Sequence, residues 1–414
     1  MSHLDDRRFH GFGPRPDGLY ALDGVRMNAA DLPREIVALI PDVVAAAEEP
    51  FVGVTTDGIP VPDLFALQDE GFDPRPAARA AGRFLADLTP TQRSTAWFDI
   101  GAKHWRLWTN AFPTWEPHGV LLEDLEPGQR DTAFAVMEAS LSAKGFADAR
   151  AAMALNAALG ELIRQYPDTL TEYNYFFAVY GTPSDTAPWG WQLWGHHLVL
   201  HCFVLGGQIV LTPAFIGAEP TIADRGPHQG TRLFDAEREA GLALRNSLDR
   251  RQAGRAVLHR SLLSAELPAD LVNFVDGRHK GGAGRDNRVI PYEGLRSDAL
   301  SPGQRDLLLA LIGTYAGRAP EGPAAALMTR VRAHLDETYL TWIGGDTDAD
   351  AFYYKVHSPV LLIEFDCHQG VFLDNEEPEP FHVHTIVRTP NGGDYGQDLL
   401  RRHYALHHHG THKP

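Results

Sequence analysis

Cysteine is almost missing from this chain. Cys202 and Cys367 are the only two among 414 residues, so no disulfide framework is available. Both lie in apolar, strand-like contexts where buried, reduced thiols are expected. Long apolar runs are also missing. The stretch Leu198–Val204 is broken by His201 and is too short to span a bilayer. The opening Met1-Ser-His-Leu-Asp-Asp-Arg-Arg carries charges where a signal peptide needs an apolar core. Basic residues are in deficit, 37 Lys and Arg against 54 Asp and Glu, for a formal charge of −17. Such a balance argues against a nucleic-acid partner and serves solubility. A soluble cytoplasmic protein with neither a nucleic-acid nor a membrane partner is therefore expected. Also absent are a Gly-x-Ser-x-Gly elbow, a phosphate-binding Gly-x-x-x-x-Gly-Lys-Ser/Thr loop, thiolate zinc spacing and internal repeats.

Histidine is abundant, with 20 residues. Two groups stand out. In Phe381-His-Val-His-Thr-Ile-Val-Arg the β-branched residues after His384 indicate a strand. His382 and His384 then project from one face with Cα atoms about 6.5–7 Å apart, within reach of one ion. In Trp189-Gly-Trp-Gln-Leu-Trp-Gly-His-His-Leu-Val-Leu-His, read as a strand from Trp189 to Phe203, adjacent His196 and His197 point to opposite faces. Gly195 makes a bulge plausible there, and the choice between the two histidines stays open.

The stretch Pro359-Val-Leu-Leu-Ile-Glu-Phe-Asp-Cys-His adds carboxylates. A charged Glu364 after four apolar residues is costly to bury unless it pairs or ligates. In a hairpin with the His382/His384 strand it lies beside the histidines, whereas Asp366 sits nearer the turn. The expected ligand set is therefore His196 or His197, His382, His384 and Glu364, holding a divalent metal: zinc, or alternatively iron or copper. Lys355 in Tyr353-Tyr-Lys is positioned to stabilise a developing anion. Arg388, on the face of His384, suits a substrate carboxylate, and Asp394 is a candidate to orient a histidine. An ion-pair network around a sheet explains these three groups equally well. His201, His357 and His368 read as structural or supporting residues, and the tail histidines His403, His407–His409 and His412 as a solvated end. Lys280-Gly-Gly-Ala-Gly reads as a mobile loop or lid. The tryptophans at 105, 108, 189, 191 and 194 either wall an apolar pocket or fill the core.

Helical patterns fall at Pro33–Ala47, Ala77–Asp87, a start at Thr89-Pro-Thr-Gln, Asp131–Leu141, Ala147–Arg164, 233–265, 301–318, 323–338 and Gly396–His403. Strand patterns fall at Tyr173–Gly181, Trp189–Phe203, Gln208–Pro213, Ala351–Asp366, Val371–Phe372 and Phe381–Arg388. The fold class is α+β: a mainly helical region over 1–165 packed on a mixed, largely antiparallel sheet region over 166–414, or one continuous domain.

The motifs Trp189-Gly-Trp, Gly195-His-His-Leu and Thr212-Pro-Ala-Phe-Ile-Gly-Ala-Glu-Pro220 resemble the family called domain of unknown function 3500. So do Leu362-Ile-Glu-Phe-Asp366, His382-x-His384, Arg388, Asp394-Tyr-Gly, His403-Tyr, Thr56-Asp-Gly, Trp108-Thr-Asn and Gly119-Val-Leu-Leu-Glu-Asp-Leu. The resemblance covers roughly residues 45–405. It implies that the histidine motifs are a family property and that the position of His201 is often Asn, which leaves His201 out of the ligand set. It implies no activity. From the residues, the leading expectation is a metal-dependent hydrolase acting on a small organic substrate of aromatic or anionic character. The alternatives are a non-haem iron or copper oxygenase and a non-catalytic small-molecule binding protein, and a homo-oligomer is left open.

Overall fold

The computed structural model describes residues 40–111, 117–163, 169–272, 277–370, 372–373 and 377–408. Among the described residues thirteen strands build one sheet. The first seven are β1 (Trp97–Phe98), β2 (Val120–Leu121), β3 (Tyr175–Tyr180), β4 (Trp189–Gly195), β5 (Leu198–Leu205), β6 (Gln208–Val210) and β7 (Ala214–Ala218). The remainder are β8 (Val257–His259), β9 (Leu295–Arg296), β10 (Tyr339–Gly344), β11 (Phe352–Ser358), β12 (Leu361–Cys367) and β13 (Val383–Arg388). The order is β1-β3-β4-β5-β7-β13-β12-β11-β10-β8, with β2, β6 and β9 pairing β3, β5 and β10. The β1–β3 and β8–β10 pairs are parallel and the other pairs are antiparallel. The α+β expectation thus holds, and β1 and β2 carry the sheet into the stretch before residue 165.

Ten α-helices accompany the sheet among the described residues: α1 (Ile40–Glu48), α2 (Pro74–Asp87), α3 (Pro90–Ala96), α4 (Pro127–Ser140), α5 (Ala143–Ile163), α6 (Asp235–Ser247), α7 (Arg250–Ala256), α8 (Pro302–Ala316), α9 (Glu321–Ala333) and α10 (Gln397–His408). Their starts follow sequence chemistry. Thr89 and Gln92 form a capping box ahead of Pro90, as Ser301 and Gln304 do ahead of Pro302. Each box satisfies orphan N–H groups while proline occupies a position that needs none. None of these helices is long and apolar enough to cross a membrane.

Alternation along the strands gives the sheet two unlike faces. Phe177, Leu193, Leu198, Ile216, Val383, Phe365 and Val356 point to one side. There they join the main core with Phe84, Met137, Met153 and Leu308 of α2, α4, α5 and α8. The opposite side carries Gln192, His201, His384, Arg388, Glu364, Asp366, Tyr353 and Lys355 in register across β4, β5, β13, β12 and β11, all of them buried. A buried polar face needs partners for every group. Here they come from irregular segments around 105–111, 277–288 and 391–396 rather than from helices.

Several elements differ from the sequence reading. Trp189–Phe203 is a hairpin, β4–β5, turning at His196-His197. Gly195 ends β4 opposite Leu198 instead of forming a bulge. Ala351–Asp366 is likewise a hairpin, turning at Pro359-Val360. β8 follows α7 inside the stretch read as helix, and the helix expected over 323–338 ends at Ala333, with a short 3-10 turn at Leu335–Glu337 before β10, a strand that was not expected. β7 lies inside the Thr212–Pro220 motif, which was not read as a strand. Val371 lies outside the described residues, as do positions 33–39, and Phe372 is in no strand.

Candidate metal centre

Three backbone elements deliver three imidazoles to one point. His384 lies on β13, opposite Gly217 of β7. His382 immediately precedes β13. His197 occupies the second position of the β4–β5 turn with φ +61°. That turn is held on both sides. The His197 N–H donates to the Asn110 carbonyl at 3.1 Å, and its carbonyl accepts from the Gly217 N–H at 2.7 Å. The Nε2 atoms of His382 and His384 are 3.0 Å apart, and those of His384 and His197 3.1 Å apart. All three ligand atoms fall within 4.8 Å of one another, and all three rings are buried. Tetrahedral coordination with metal–nitrogen bonds near 2.0–2.1 Å needs about 3.3 Å between ligand nitrogens. The observed spacings are within a few tenths of an ångström of that.

Burial pushes His197, His382 and His384 well below the ordinary imidazole range, and repulsion from neighbouring histidines, His368 among them in each case, adds to it. They are therefore neutral near pH 7, the form that donates a lone pair to a metal. Glu219, at the end of the Thr212–Pro220 motif, backs the group. Its Oε1 lies 3.8 Å from His382 Nδ1 and accepts from the backbone N–H groups of Phe372 and Leu373. A carboxylate behind a ligating imidazole is a common orienting device.

The remaining sequence candidates take other places. His196 stacks on His197 at 3.8 Å between ring centroids, and its Nδ1 meets Asn156 Oδ1 at 2.7 Å. The turn aims the two rings differently, and only His197 reaches the centre. Glu364, expected as a ligand, is not in the group. Its carboxylate accepts from the Lys280 and Gly281 N–H groups at 2.9 and 2.8 Å and from the Tyr353 hydroxyl at 2.6 Å. Strand register explains this, since Glu364 opposes Ile386 while Asp366 opposes His384. Asp366 in turn is held by Arg278 at 2.6 and 2.8 Å.

Lys355 pairs with Glu293 at 2.5 Å, across β12 from the centre. Arg388 is not available to a substrate. Its guanidinium is spent on Asp286 at 2.9 Å, Asp394 at 3.0 Å and the carbonyls of Gly281 and Gly282. Asp394 accordingly serves Arg388 and the Thr389 N–H rather than a histidine. Burial pushes the Asp394 carboxyl up to about 6.

The Gly-rich loop read as mobile is strapped to the polar face by these same contacts with Arg278, Glu364 and Arg388. Close approach explains the glycines here: a Cβ at Gly281 would lie 3.2 Å from Glu364 Oε2, and at Gly277, just before the loop with φ +57°, 2.1 Å from Asp366 Oδ2.

Two further histidines adjoin the group. His368, set aside in the sequence reading, sits 4.6 Å from His384 between ring centroids, and its Nδ1 donates to the Gln369 carbonyl at 2.8 Å. His279, not singled out before, lies 6.3 Å from His384. Their only sequence signal is closeness to Asp366 and to the Gly-rich loop. His201 is tied to the Pro213 carbonyl and to Gln192, a structural role. The five tryptophans at 105, 108, 189, 191 and 194 are core residues. His403 lies on α10 at the other end of the chain, and His409 and His412 lie outside the described residues. A cavity lined by Leu200, Ile216, Ile312, Tyr315 and Val387 opens on the helix-covered face, away from the three histidines.

No curated protein and no solved structure matches the chain. A family model does, over residues 71–397, which is most of the length. The chain belongs to that family, described as proteins of unknown function (DUF3500).

Proposed function

We propose that this protein is a metal-dependent enzyme whose centre is His197, His382 and His384. The observation that carries the reading is the convergence of three buried Nε2 atoms at 3.0 and 3.1 Å from stretches 185 and more residues apart. Neutral rings in contact can share only one proton per pair, so three nitrogens aimed at one point leave lone pairs that a cation satisfies. Three protein ligands leave one position for water. A divalent ion such as zinc lowers that water's pKa toward neutrality and polarises the substrate, which is hydrolytic chemistry. The substrate is a small organic molecule. A cytoplasmic location goes with this reading, since Cys202 and Cys367 are both free, buried thiols.

The second reading is an iron or copper oxygenase, because imidazole suits those ions as well. Its two-histidine, one-carboxylate form has less support here, because Glu364 and Asp366 spend their oxygens on the 277–281 loop.

The test is metal content by plasma mass spectrometry on untagged protein, beside a His382→Ala/His384→Ala double variant. About one zinc per chain that disappears in the variant supports the hydrolase, and iron or copper supports the oxygenase. An apoprotein that takes up no metal on reconstitution sinks both and leaves a binding protein with a histidine network.

A further inference from the structure

We infer that His279 binds the group occupying the open position of the three-histidine centre, and that this group is a small anion or the oxyanion portion of a substrate. The inference rests on the metal-centre reading. His279 is 5% exposed, and among the described residues neither of its ring nitrogens has a hydrogen-bond partner. A buried polar ring without partners lowers stability, so such rings are rare unless something else satisfies them.

Slack in the chain does not account for it, because the backbone is anchored on both sides of His279. The Arg278 N–H donates to Asp366 at 3.1 Å while the Arg278 guanidinium grips the same carboxylate. The Lys280 and Gly281 N–H groups donate to Glu364. Two buried strand carboxylates thus fix the loop at positions 278, 280 and 281, and the ring at 279 is held where it stands.

It faces the Phe215–His384 ring pair, 6.1 Å from Phe215 and 6.3 Å from His384 between ring centroids. His279 is outside the group of ligand atoms that lie within 4.8 Å of one another, so it does not complete the first set of ligands. The separation instead suits one small group held between ring and ion by hydrogen bonds of ordinary length, about 2.7–3.2 Å. In either protonation state an imidazole carries at least one N–H. The intervening group is therefore a hydrogen-bond acceptor: an oxyanion, hydroxide or a pseudohalide. The Phe215 edge leaves the rest of that face apolar.

The test uses cobalt(II)-loaded full-length protein titrated with azide and followed by visible absorption. His279→Phe fills the space without an N–H, and His279→Asn keeps a donor. We expect one cobalt per chain in the wild type and both variants. Azide Kd should rise roughly 10–100-fold in His279→Phe, the loss of one hydrogen bond to a charged group, and largely recover in His279→Asn. Unchanged azide affinity in His279→Phe overturns the inference. So does loss of cobalt from both variants, which would make His279 a ligand, or two cobalt ions per chain, which would make the space a second metal site. A wild type that takes up no cobalt fails the metal-centre reading itself, and this inference with it.

Discussion

His384 and Gly217 face each other across the β7–β13 pair, and the missing side chain at 217 is what lets the His384 and His197 imidazoles meet. A Cβ at that position would lie 3.0 Å from His384 Cδ2 and 3.2 Å from His197 Cδ2. Contacts that tight force one or both rings to move by a few tenths of an ångström. Gly217→Ala should therefore weaken metal binding by roughly 10–100-fold, as changes to ligand-orienting residues do. Competition against a chelating dye reads the change. An unaltered affinity would mean that the ion, if bound, does not sit between His197 and His384.

The two-residue turn of the β4–β5 hairpin puts His197, a residue with a Cβ, in the left-handed region. With φ +61°, any residue with a Cβ pays about 1–2 kcal/mol there, and glycine pays none. His197→Gly and His197→Ala should both abolish metal binding. In urea, the Gly variant should be the more stable of the two by about 1–2 kcal/mol. Equal stability of the two variants would mean that the left-handed turn is not present in solution.

The Glu364 and Asp366 carboxylates hold the 277–281 loop and stand outside the three-histidine group, and variants at the two positions test that role. Glu364 accepts from two N–H groups and a tyrosine hydroxyl. An amide at 364 would turn a donor toward other donors, at a cost of about 1–3 kcal/mol. Glu364→Gln should lower the melting temperature and keep one metal per chain. Asp366→Ala strands the buried Arg278 guanidinium, and removing one partner of a buried pair costs about 3–5 kcal/mol. Loss of metal from Glu364→Gln in a protein that remains folded would restore Glu364 to the ligand set.

The parts of the site legible in the sequence are those set by short-range geometry. Two histidines separated by one residue beside β-branched neighbours share a face wherever the strand goes, so His382 and His384 were readable. Which carboxylate lies next to them depends on register across β12–β13. That register is set beyond the 15 residues joining the two strands, and it brought Asp366, not Glu364, opposite His384. The choice between His196 and His197 turned on a hairpin with no Asn-Gly or Asp-Gly signal, because the turn positions are taken by the histidines themselves. The glycines of Lys280-Gly-Gly-Ala-Gly read as flexibility. Gly281 instead allows close approach to Glu364, and Gly277 just before the loop does the same for Asp366, both more than 80 positions away. The α+β class was legible because helical texture fills one block of the chain and strands with further helices fill the next. The two unlike faces of the sheet became visible only once its strand order was known.

Acid should unfold the metal-free protein early and steeply. Burial pushes His196 and His357 down to about 3 and His201 and His368 to about 4. It holds His197, His382 and His384 well below their ordinary value. In the unfolded chain each of these groups titrates near 6.5. A depressed folded pKa gives stability that is complete above the unfolded value and lost as pH falls toward the folded one. Between pH 6.5 and about 4 the unfolded state therefore binds several more protons than the native state, each contributing a slope of about 1.4 kcal/mol per pH unit. Asp394, pushed up to about 6, opposes this with a single proton below that pH. Melting temperature should be flat from pH 7 to 8 and fall sharply below 6.5, and urea unfolding at pH 5 should take up more than one proton net. A bound divalent ion needs the same neutral rings, so its affinity should fall through the same window. Stability that holds steady or rises between pH 6.5 and 5 would mean that these histidines are not buried in the neutral form, and the centre would lose the property that suits it to a metal.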